Sequence, residues 1–244
     1  MTTGGQRLDV ALVTSGLARS RHQGQQLILA GQVLVDGRPA SKPSQLVASG
    51  QEIVITTTSW VSRAAHKLLG ALDDAGVVVP PRCLDVGAST GGFTQVLLSR
   101  GASRVYAIDV GHGQLAPELA GDKRVTPHEG FNAKDLTLAD VDGEPVGLAV
   151  ADLSFISLTA VLPSILPLIR ADGSALLLVK PQFEVGKAAL GSSPVVRSDA
   201  LRRASVQQVI AAAASLGWVT VWQRPSQLPG AQGNIEYFVH LRRL

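Results

Sequence analysis

Four charged residues in this chain of 244 residues are placed where they could together move a proton. Asp152 and Lys180 each follow directly on an apolar run, Glu236 precedes one, and Lys67 lies in an amphipathic segment. Burial beside a second ammonium group lowers the pKa of a lysine from its usual value of about 10.4, so a fraction can act as a base near neutral pH. Such a set could deprotonate a poor acid, such as a ribose 2′-hydroxyl, as it attacks the methyl group of a sulfonium. The same four residues could instead form two separate structural ion pairs.

A glycine-rich turn follows the first apolar strand of the same region. The stretch Cys83–Val96 reads CLDVGASTGGFTQV, which predicts a strand, a tight turn and a helix in succession, as at the opening of a doubly wound nucleotide-binding sheet. The glycines Gly87, Gly91 and Gly92 are spaced as Gly-x-x-x-Gly-Gly, unlike the G-x-G-x-x-G of dinucleotide sites, and Asp85 precedes them. A carboxylate there would repel a pyrophosphate, but it suits a ligand with a cationic amino group, such as S-adenosylmethionine (SAM).

A second acid ends the next apolar strand. Asp109 lies about 20 residues beyond the first glycine of the turn, where a carboxylate can hold both hydroxyls of an adenosine ribose. Asn132 and Asp135 lie in a predicted loop at the place where such folds hold the adenine. We therefore predict a SAM site that includes Asp85, the glycine turn, Asp109 and Asn132. The alternative is an ordinary glycine-rich turn with solvated acids at the strand ends.

Strands and helices alternate from residue 62 onward, which predicts an α/β fold with a doubly wound, mostly parallel sheet. In such sheets ligands gather at the carboxyl ends of the strands. Predicted strands are Cys83–Val86, Arg104–Val110, Arg124–His128, Val146–Ala151, Ala175–Val179, Trp218–Gln223 and Tyr237–Leu241. Predicted helices are Ser62–Ala75, one from Phe93, Gln114–Ala120, Ile156–Ile169 and Arg197–Leu216, with loops at Asn132–Leu136 and Val185–Pro194.

Residues 6–56 predict a separate small α+β module. A first helix begins at Leu8 and stops at Gly16, and the capping box Ser20–Gln23 opens a second helix that ends at Gly31. A small β-ribbon follows, with strands at Val33–Val35 and Glu52–Ile55. A polar run before Trp60 marks the boundary, so we predict domains at residues 1–57 and 62–244 joined by a linker at 58–61.

The module resembles the RNA-binding domain shared by small-subunit ribosomal protein four and some RNA-modifying enzymes. The segments that carry the resemblance are Leu12–Arg21, Ala30–Gly37 and Lys42-Pro43. In that family, basic residues around the helices and the loop meet RNA phosphates, and the matching residues are Arg7, Arg19, Arg21 and Lys42. Such residues supply salt-sensitive affinity without reading sequence, and the alternative is a solvated charged surface.

Composition restricts the class of protein. Hydrophobic residues make up 45% of the chain and charged residues 17%, which suffices for a packed core and argues against disorder. The single cysteine, Cys83, excludes an intramolecular disulfide and fits a reducing cytosol, and its apolar strand makes it a core residue. The N-terminus shows no secretory signal, and the tract Leu158–Ile169, which contains Pro163 and Pro167, is too short to span a bilayer. We expect a cytoplasmic protein without membrane association, and the net charge of +3 only hints at an anionic partner.

Four segments resemble the FtsJ-type RNA 2′-O-methyltransferases. They are Asp85–Thr94, Ala151–Phe155, Val179–Phe183 and Gly233–Tyr237. With the N-terminal module and Ser62–Leu68, the whole chain resembles the TlyA proteins. The resemblance implies a Rossmann-like methyltransferase fold, SAM as cofactor without a metal, and methylation of cytidine ribose in 16S and/or 23S ribosomal RNA. The implied partner is ribosomal RNA within ribosomal subunits, and no obligate protein partner is implied.

The resemblance also implies roles for individual residues. A lysine–aspartate–lysine–glutamate tetrad falls on Lys67, Asp152, Lys180 and Glu236, with Lys180 as the general base. Family contacts to SAM fall on Gly87, Ser89, Gly91, Gly92, Phe93, Asp109 and Asp152. Some relatives carry an arginine before the linker tryptophan, where this chain has Thr58, so a linker-specific role is not carried over.

Other readings lack their chemistry in this chain. An amino-group methylase would need an Asp/Asn-Pro-Pro-aromatic loop where Asp152–Phe155 stands, and a pyrimidine carbon methylase would need a cysteine in that region. A non-catalytic RNA-binding factor is the main alternative, and the intact tetrad argues against it. A membrane-active haemolysin, a label that this family has carried, lacks a spanning segment here.

Overall fold

The computed structural model describes residues 5–56, 60–186 and 193–244. Residues 57–59 and 187–192, which include Thr58 and most of the predicted loop Val185–Pro194, lie outside the described residues. Two hydrophobic cores pack on the two faces of a large sheet, and a third core lies inside the N-terminal module.

Residues 5–56, the described part of the N-terminal module, form two helices and five short strands. Its elements are β1 (Gln6–Arg7), α1 (Leu8–Thr14), α2 (Arg21–Leu29), β2 (Val33–Val35), β3 (Arg38–Pro39), β4 (Leu46–Val47) and β5 (Ile53–Ile55). Strand β2 lies between β3 and β5, and β1 pairs with β4. Leu8, Leu12, Ile28 and Val33 form its buried centre. The predicted cap on α2 is present, because the Ser20 hydroxyl accepts a hydrogen bond from the backbone N–H of Gln23.

The large domain is built on a seven-stranded sheet. Its strands are β6 (Arg82–Val86), β7 (Arg104–Ile108), β8 (Val125–His128), β9 (Val146–Ala151), β10 (Ile169–Val179), β11 (Trp218–Pro225) and β12 (Tyr237–Arg243). They lie in the order β11-β12-β10-β9-β6-β7-β8, and the five from β10 to β8 are parallel. Strand β12 is antiparallel to both of its neighbours.

The antiparallel strand brings residues from the end of the chain to the carboxyl edge of the parallel strands. Tyr237, the first residue of β12, pairs with Val179, the last residue of β10. Glu236 and Lys180, which are adjacent to that pair, therefore lie at the same edge. The residues that follow β6, β7 and β9 lie there too, because parallel strands end on one side of a sheet.

Helices cover both faces of this sheet. They are α3 (Ala64–Ala75), α4 (Gly92–Ser99), α5 (Pro117–Ala120), α6 (Leu162–Ile165), α7 (Pro181–Glu184) and α8 (Asp199–Ser215). The α3–α4 layer packs on the face that includes Cys83, which is fully buried and whose thiol pKa burial raises to about 12. Helices α6 and α8 pack on the other face. Among the described residues, no helix has the length and apolar character needed to cross a bilayer.

The predicted helix Ile156–Ile169 is wrong. That segment contains a 3₁₀ turn at Leu158–Ala160, the four-residue α6, and a second 3₁₀ turn at Leu166–Leu168. Pro167 has no N–H to donate to the carbonyl of Pro163, so the α-helical ladder cannot continue and the chain tightens into a 3₁₀ turn before β10.

Two further segments differ from prediction. The predicted helix Gln114–Ala120 is confined to α5, because Ala116 precedes a proline and is extended, while Pro117 is favourable at the first helical position. The predicted loop Asn132–Leu136 contains a 3₁₀ turn at Ala133–Asp135, which the side chain of Asn132 caps.

A buried carboxylate organises one face of the N-terminal module. Asp9 in α1 is fully buried, and its carboxylate accepts hydrogen bonds from Arg7, Arg21 and Gln25. The hydrogen bonds from Arg7 contribute most to holding the pKa of Asp9 well below its usual range. A group with a depressed pKa stabilises the folded state at pH values above its unfolded pKa and loses that contribution as the pH falls.

We expect the module to lose stability as the pH falls below about 4, where the Asp9 carboxylate of the unfolded chain takes up a proton. Asp9→Asn should destabilise residues 6–55 at neutral pH and flatten this pH dependence, because the amide does not titrate. Amide hydrogen exchange of the full chain measures both effects. The same acid-dependent loss in the wild type and in the variant would contradict the assignment.

Candidate active site

Two adjoining cavities open at the carboxyl edge of the parallel strands. The tetrad cavity, of about 560 Å³, is lined by Lys67, Asp152, Lys180 and Glu236 together with Arg63 and part of the glycine turn. The Asp109 cavity, of about 510 Å³, is lined by Asp109, Asn132 and neighbouring apolar residues. Five residues line both cavities, and two ligands bound side by side would meet at them: Gly87, Ser89, Asp152, Ser154 and Phe155.

The four residues of the predicted tetrad form two ion pairs. Nζ of Lys67 lies 2.6 Å from Oε2 of Glu236, and these two side chains are only 7% and 2% exposed. Nζ of Lys180 lies 2.6 Å from Oδ1 of Asp152, although the angle is not that of a hydrogen bond. Buried charges of this kind are tolerated when they are paired, so each lysine needs its carboxylate.

Two polar side chains missed by the sequence analysis complete these pairs. Lys180 donates a hydrogen bond of 3.0 Å from Nζ to the hydroxyl of Ser154. Gln182 donates from Nε2 to Oε1 of Glu236 at 3.3 Å. Both residues lie within segments that carry the FtsJ-type resemblance, Ala151–Phe155 and Val179–Phe183. These motifs could therefore have indicated the two residues, although their roles were not predicted.

An aromatic side chain stands at the mouth of the cavities. Phe155 is 92% exposed and has a φ of +66°, in the left-handed region that non-glycine residues rarely adopt. Its ring lies 5.3 Å from that of Phe183 between centroids. An exposed ring in a strained backbone conformation beside a charged cavity is a candidate platform for a planar ligand group.

Arg63 is a third cationic residue in the wall of the tetrad cavity. It is absent from the ion pairs found among the described residues, and its guanidinium instead donates to the backbone carbonyl of Ser41 in the N-terminal module. Burial lowers its pKa, while the charges of Glu236 and Asp152 act in the opposite direction. The two lysines are balanced by two carboxylates, so Arg63 gives the cavity an excess of one positive charge.

The neighbouring helix residue His66 also contacts the N-terminal module. Its Nε2 donates to the carbonyl of Gly31, the second residue after the end of α2. Trp60 packs edge-on against the same imidazole, with ring centroids 6.3 Å apart. Helix α3 therefore carries Lys67 toward the cavity and rests on the N-terminal module through adjacent residues.

The glycine turn fits closely against the rest of the site. Gly87 has a φ of +85°, and a Cβ added there would lie 2.7 Å from the carbonyl oxygen of Asp152. A Cβ at Gly92 would lie 2.4 Å from the hydroxyl oxygen of Ser62. These two glycines let the turn approach Asp152 and the start of α3, whereas Gly91, which has a φ of +95°, faces the side chain of Leu119 instead.

The remaining turn residues lie in the cavity walls. Gly87 and Ser89 line both cavities, and Gly92 and Phe93 line the tetrad cavity. Asp109 accepts hydrogen bonds from the backbone N–H of Ser89 at 2.8 Å and of Gly111 at 2.7 Å. The side chain of Asn132 caps the backbone N–H of Lys134 at 3.1 Å, which leaves its amide NH₂ available to a ligand.

Asp85 and Gly91 do not line either cavity. Asp85 is completely buried beneath the turn, where Oδ2 accepts a hydrogen bond of 2.6 Å from the hydroxyl of Thr94. Burial raises the pKa of Asp85 to about 7, against the lowering effect of the bond from Thr94. Its Oδ1 is buried without a hydrogen bond. Any attraction between the Asp85 carboxylate and a cationic ligand would therefore act through the turn and not by direct contact.

The four basic residues predicted to bind RNA are all exposed, and they fall into two groups. Arg7 and Arg21 are held by Asp9, while Arg19 and Lys42 are absent from the ion pairs found in the described ranges. Lys42 adjoins Ser41, whose carbonyl accepts from Arg63, so this part of the module lies beside the tetrad cavity. No cluster of metal-ligating side chains is present among residues 5–56, 60–186 and 193–244.

Models of two known protein families match the two domains of the chain. A model of the FtsJ-like methyltransferase family matches residues 60–243, and a model of the S4 domain matches residues 6–53. The 16S/23S rRNA (cytidine-2′-O)-methyltransferase TlyA of Mycobacterium tuberculosis is 51% identical over 240 residues, covering 97% of this chain and 89% of that protein. The chain belongs to the TlyA family of FtsJ-like methyltransferases.

Two other relatives extend along nearly the whole chain. Hemolysin A of Brachyspira hyodysenteriae is 39% identical over 236 residues, covering 96% of this chain and 98% of that protein. A solved structure of a Streptococcus thermophilus protein has 34% sequence identity and a TM-score of 0.74, and the match covers 99% of this chain and 90% of that chain. The predicted TlyA-family membership and fold class are thus confirmed.

A matched pair of substitutions tests the close fit of the turn in this TlyA-family protein. Gly87→Ala and Gly217→Ala both place a side chain at a similar left-handed φ, +85° and +81°, which costs about 1–2 kcal/mol in either case. An added Cβ meets nothing within 4 Å at Gly217 but meets the Asp152 carbonyl at Gly87. Chemical denaturation should show a larger loss of unfolding free energy for Gly87→Ala. Equal losses would mean that the turn does not press on Asp152.

Proposed function

We propose that this protein transfers a methyl group from SAM to the 2′-hydroxyl of a cytidine ribose in 16S and/or 23S ribosomal RNA. The observation that carries the proposal is the pair of lysine–carboxylate contacts, Lys67–Glu236 and Lys180–Asp152, in a cavity that adjoins a second cavity lined by Asp109. The name of the M. tuberculosis relative supports the choice of cytidine and of ribosomal RNA for this chain.

The residues of the Asp109 cavity fit SAM. The Asp109 carboxylate can accept hydrogen bonds from the two ribose hydroxyls, and the exposed Val110 and the ring of Phe131 offer apolar contact to an adenine. Gly87 lines both cavities, and its lack of a side chain lets the turn lie against the Asp152 carbonyl. When bound, SAM supplies an electrophilic methyl on a sulfonium that also provides the leaving group.

We assign the role of proton acceptor to Lys180. Its Nζ lies in the tetrad cavity and is oriented by Asp152 and Ser154, two residues that line both cavities. The neutral amine would accept the proton of the 2′-hydroxyl as the oxygen attacks, and Asp152 would stabilise the resulting ammonium. Lys67 and Glu236 hold the far side of the tetrad cavity, and alignment of the two substrates supplies much of the rate.

The surroundings of the tetrad cavity suit RNA. The excess positive charge of Arg63 favours a phosphate beside the ribose, and the exposed ring of Phe155 offers a stacking surface to a base that leaves its helix. Arg19 and Lys42 in the S4 domain would add affinity for the RNA backbone, and Lys42 would do so beside the same cavity. The proposal places the enzyme in the cytoplasm, where ribosomal subunits are found.

Transfer of labelled methyl from SAM to purified 30S and 50S subunits tests the proposal. Mass spectrometry of the product nucleosides should identify 2′-O-methylcytidine from one or both subunits. A different methylated nucleoside would overturn the assignment of the reaction. Binding of SAM and of subunits without transfer would favour a non-catalytic RNA-binding factor.

Lys180→Ala should reduce methyl transfer by about 10²–10⁴-fold, the usual contribution of a general base, while SAM affinity remains close to that of the wild type. Asp109→Ala should instead weaken SAM binding as its primary defect, because the carboxylate proposed to hold the ribose is lost. Single-turnover transfer and calorimetry with SAM separate the two effects, and the exposed Lys123→Ala serves as the control. Near-normal transfer by Lys180→Ala would remove it as the base.

Lys42→Ala should weaken binding to ribosomal RNA and lower the slope of log affinity against log salt by about 1, because one phosphate contact is lost. Filter binding over a range of salt concentrations measures that slope. Lys123→Ala in the large domain should leave it unchanged. An unchanged slope for Lys42→Ala would place the RNA away from this face of the S4 domain.

A further inference from the structure

We propose that Glu184 is a positioning residue for methyl transfer: its carboxylate fastens the loop that follows β9 to helix α7 and thereby holds Ser154 against Lys180. The inference rests on the proposed function, since it assigns Glu184 a role through the proposed base. It adds a residue outside the tetrad, with no atom in the wall of either cavity.

The contacts of Glu184 are made to one short segment. Oε1 accepts a hydrogen bond of 2.8 Å from the backbone N–H of Leu158, and Oε2 accepts from the hydroxyl of Ser157. Ser157 in turn accepts from the backbone N–H of Thr159 at 3.1 Å. Glu184 thus holds the far end of the loop that begins at Asp152.

Both segments joined by this carboxylate carry site residues. The loop from Asp152 to Leu158 presents Ser154 and Phe155 to the cavities, and helix α7 begins directly after Lys180. The two segments meet where Glu184 bonds to Ser157 and Leu158, where Lys180 contacts Asp152 and Ser154, and where the ring of Phe155 lies against that of Phe183. The contact made by Glu184 is the part that lies outside the walls of both cavities.

The environment of Glu184 is unusual for a carboxyl group. The residue is 7% exposed, and it is absent from the ion pairs found among the described residues. Burial raises its pKa, while the hydrogen bonds from Ser157 and Leu158 act in the opposite direction. A glutamate kept in such a place needs its two donors, and the donors in turn need an acceptor.

The contact to Ser157 and Leu158 requires a hydrogen-bond acceptor on a side chain of the length of glutamate, but it does not require a negative charge. A glutamine at this position keeps an oxygen for the N–H of Leu158, and its NH₂ can donate to the Ser157 hydroxyl. An alanine leaves the Leu158 N–H unpaired and frees the loop. The comparison of these two replacements therefore separates loss of the anchor from loss of the charge.

The experiment compares full-length wild type, Glu184→Ala and Glu184→Gln in the subunit methylation assay, with the exposed Glu118→Ala as the matched control. We expect Glu184→Ala to lower kcat by about 100-fold, the scale of a 1 Å misplacement, with a much smaller change in the KM for SAM. Glu184→Gln should retain most of the rate, and Glu118→Ala should match the wild type.

A double-mutant cycle with Ser154→Ala identifies the route of the effect. If Glu184 acts through Ser154 and Lys180, the combined variant should lose much less than the product of the two single losses. The inference would be overturned if the loss in the double variant equals the product of the two single losses, or if Glu184→Ala retains the wild-type rate. Equal impairment of the alanine and glutamine variants, with equal loss of thermal stability, would also overturn it by showing a general structural role.

Amide hydrogen exchange at Leu158 provides a readout that does not depend on catalysis. Glu184→Ala should speed exchange there and in residues 153–157, while exchange in β6 and β7 remains unchanged. If the wild type methylates no ribosomal subunit, the proposed function fails, and faster local exchange would still support the anchor itself. Unchanged exchange at Leu158 would overturn the anchor even if the wild type is active.

Discussion

One strand that runs against its neighbours brings the tetrad together. Because β12 is antiparallel to β10, its first residue lies beside the last residue of β10, and Glu236 arrives next to Lys180 although 56 residues separate them in the sequence numbering. Lys67 comes from α3, near the other end of the domain's sequence, to meet Glu236. Removing a single partner from such a set would leave a charge buried without compensation, which is costly, so the four residues stabilise the site only as pairs.

The parts of the site that could be predicted from the sequence are those that local pattern controls. Asp109, Asp152 and Lys180 were found because a charged residue directly after an apolar run marks the end of a buried strand, and such ends share one edge of a parallel sheet. The pairing of the charges could not be found in this way. Spacing alone left open a catalytic set or two structural ion pairs, and the structure contains two ion pairs that also line one cavity.

The errors of prediction also have local causes. The apolar content of Ile156–Ile169 predicts a helix, but Pro163 and Pro167 cannot donate the backbone hydrogen bonds that a continuous helix requires. The positive φ at position 155 could not be predicted from the residue type, since a phenylalanine rarely adopts this conformation. The contacts of Arg63 and Glu184 join segments distant in sequence, and such contacts depend on the tertiary fold rather than on periodicity.

The net charge of the tetrad cavity comes from Arg63 and not from the four residues of the tetrad. The Lys67–Glu236 and Lys180–Asp152 pairs are neutral overall, so they add no net charge to the cavity. Arg63 supplies the net charge, and it does so from the N-cap of helix α3 while its guanidinium is bound to a carbonyl of the S4 domain. A phosphate drawn to Arg63 would therefore compete with, or bridge to, the contact that joins the two domains. In this arrangement the S4 domain also helps to set the position of the cationic group in the wall of the tetrad cavity.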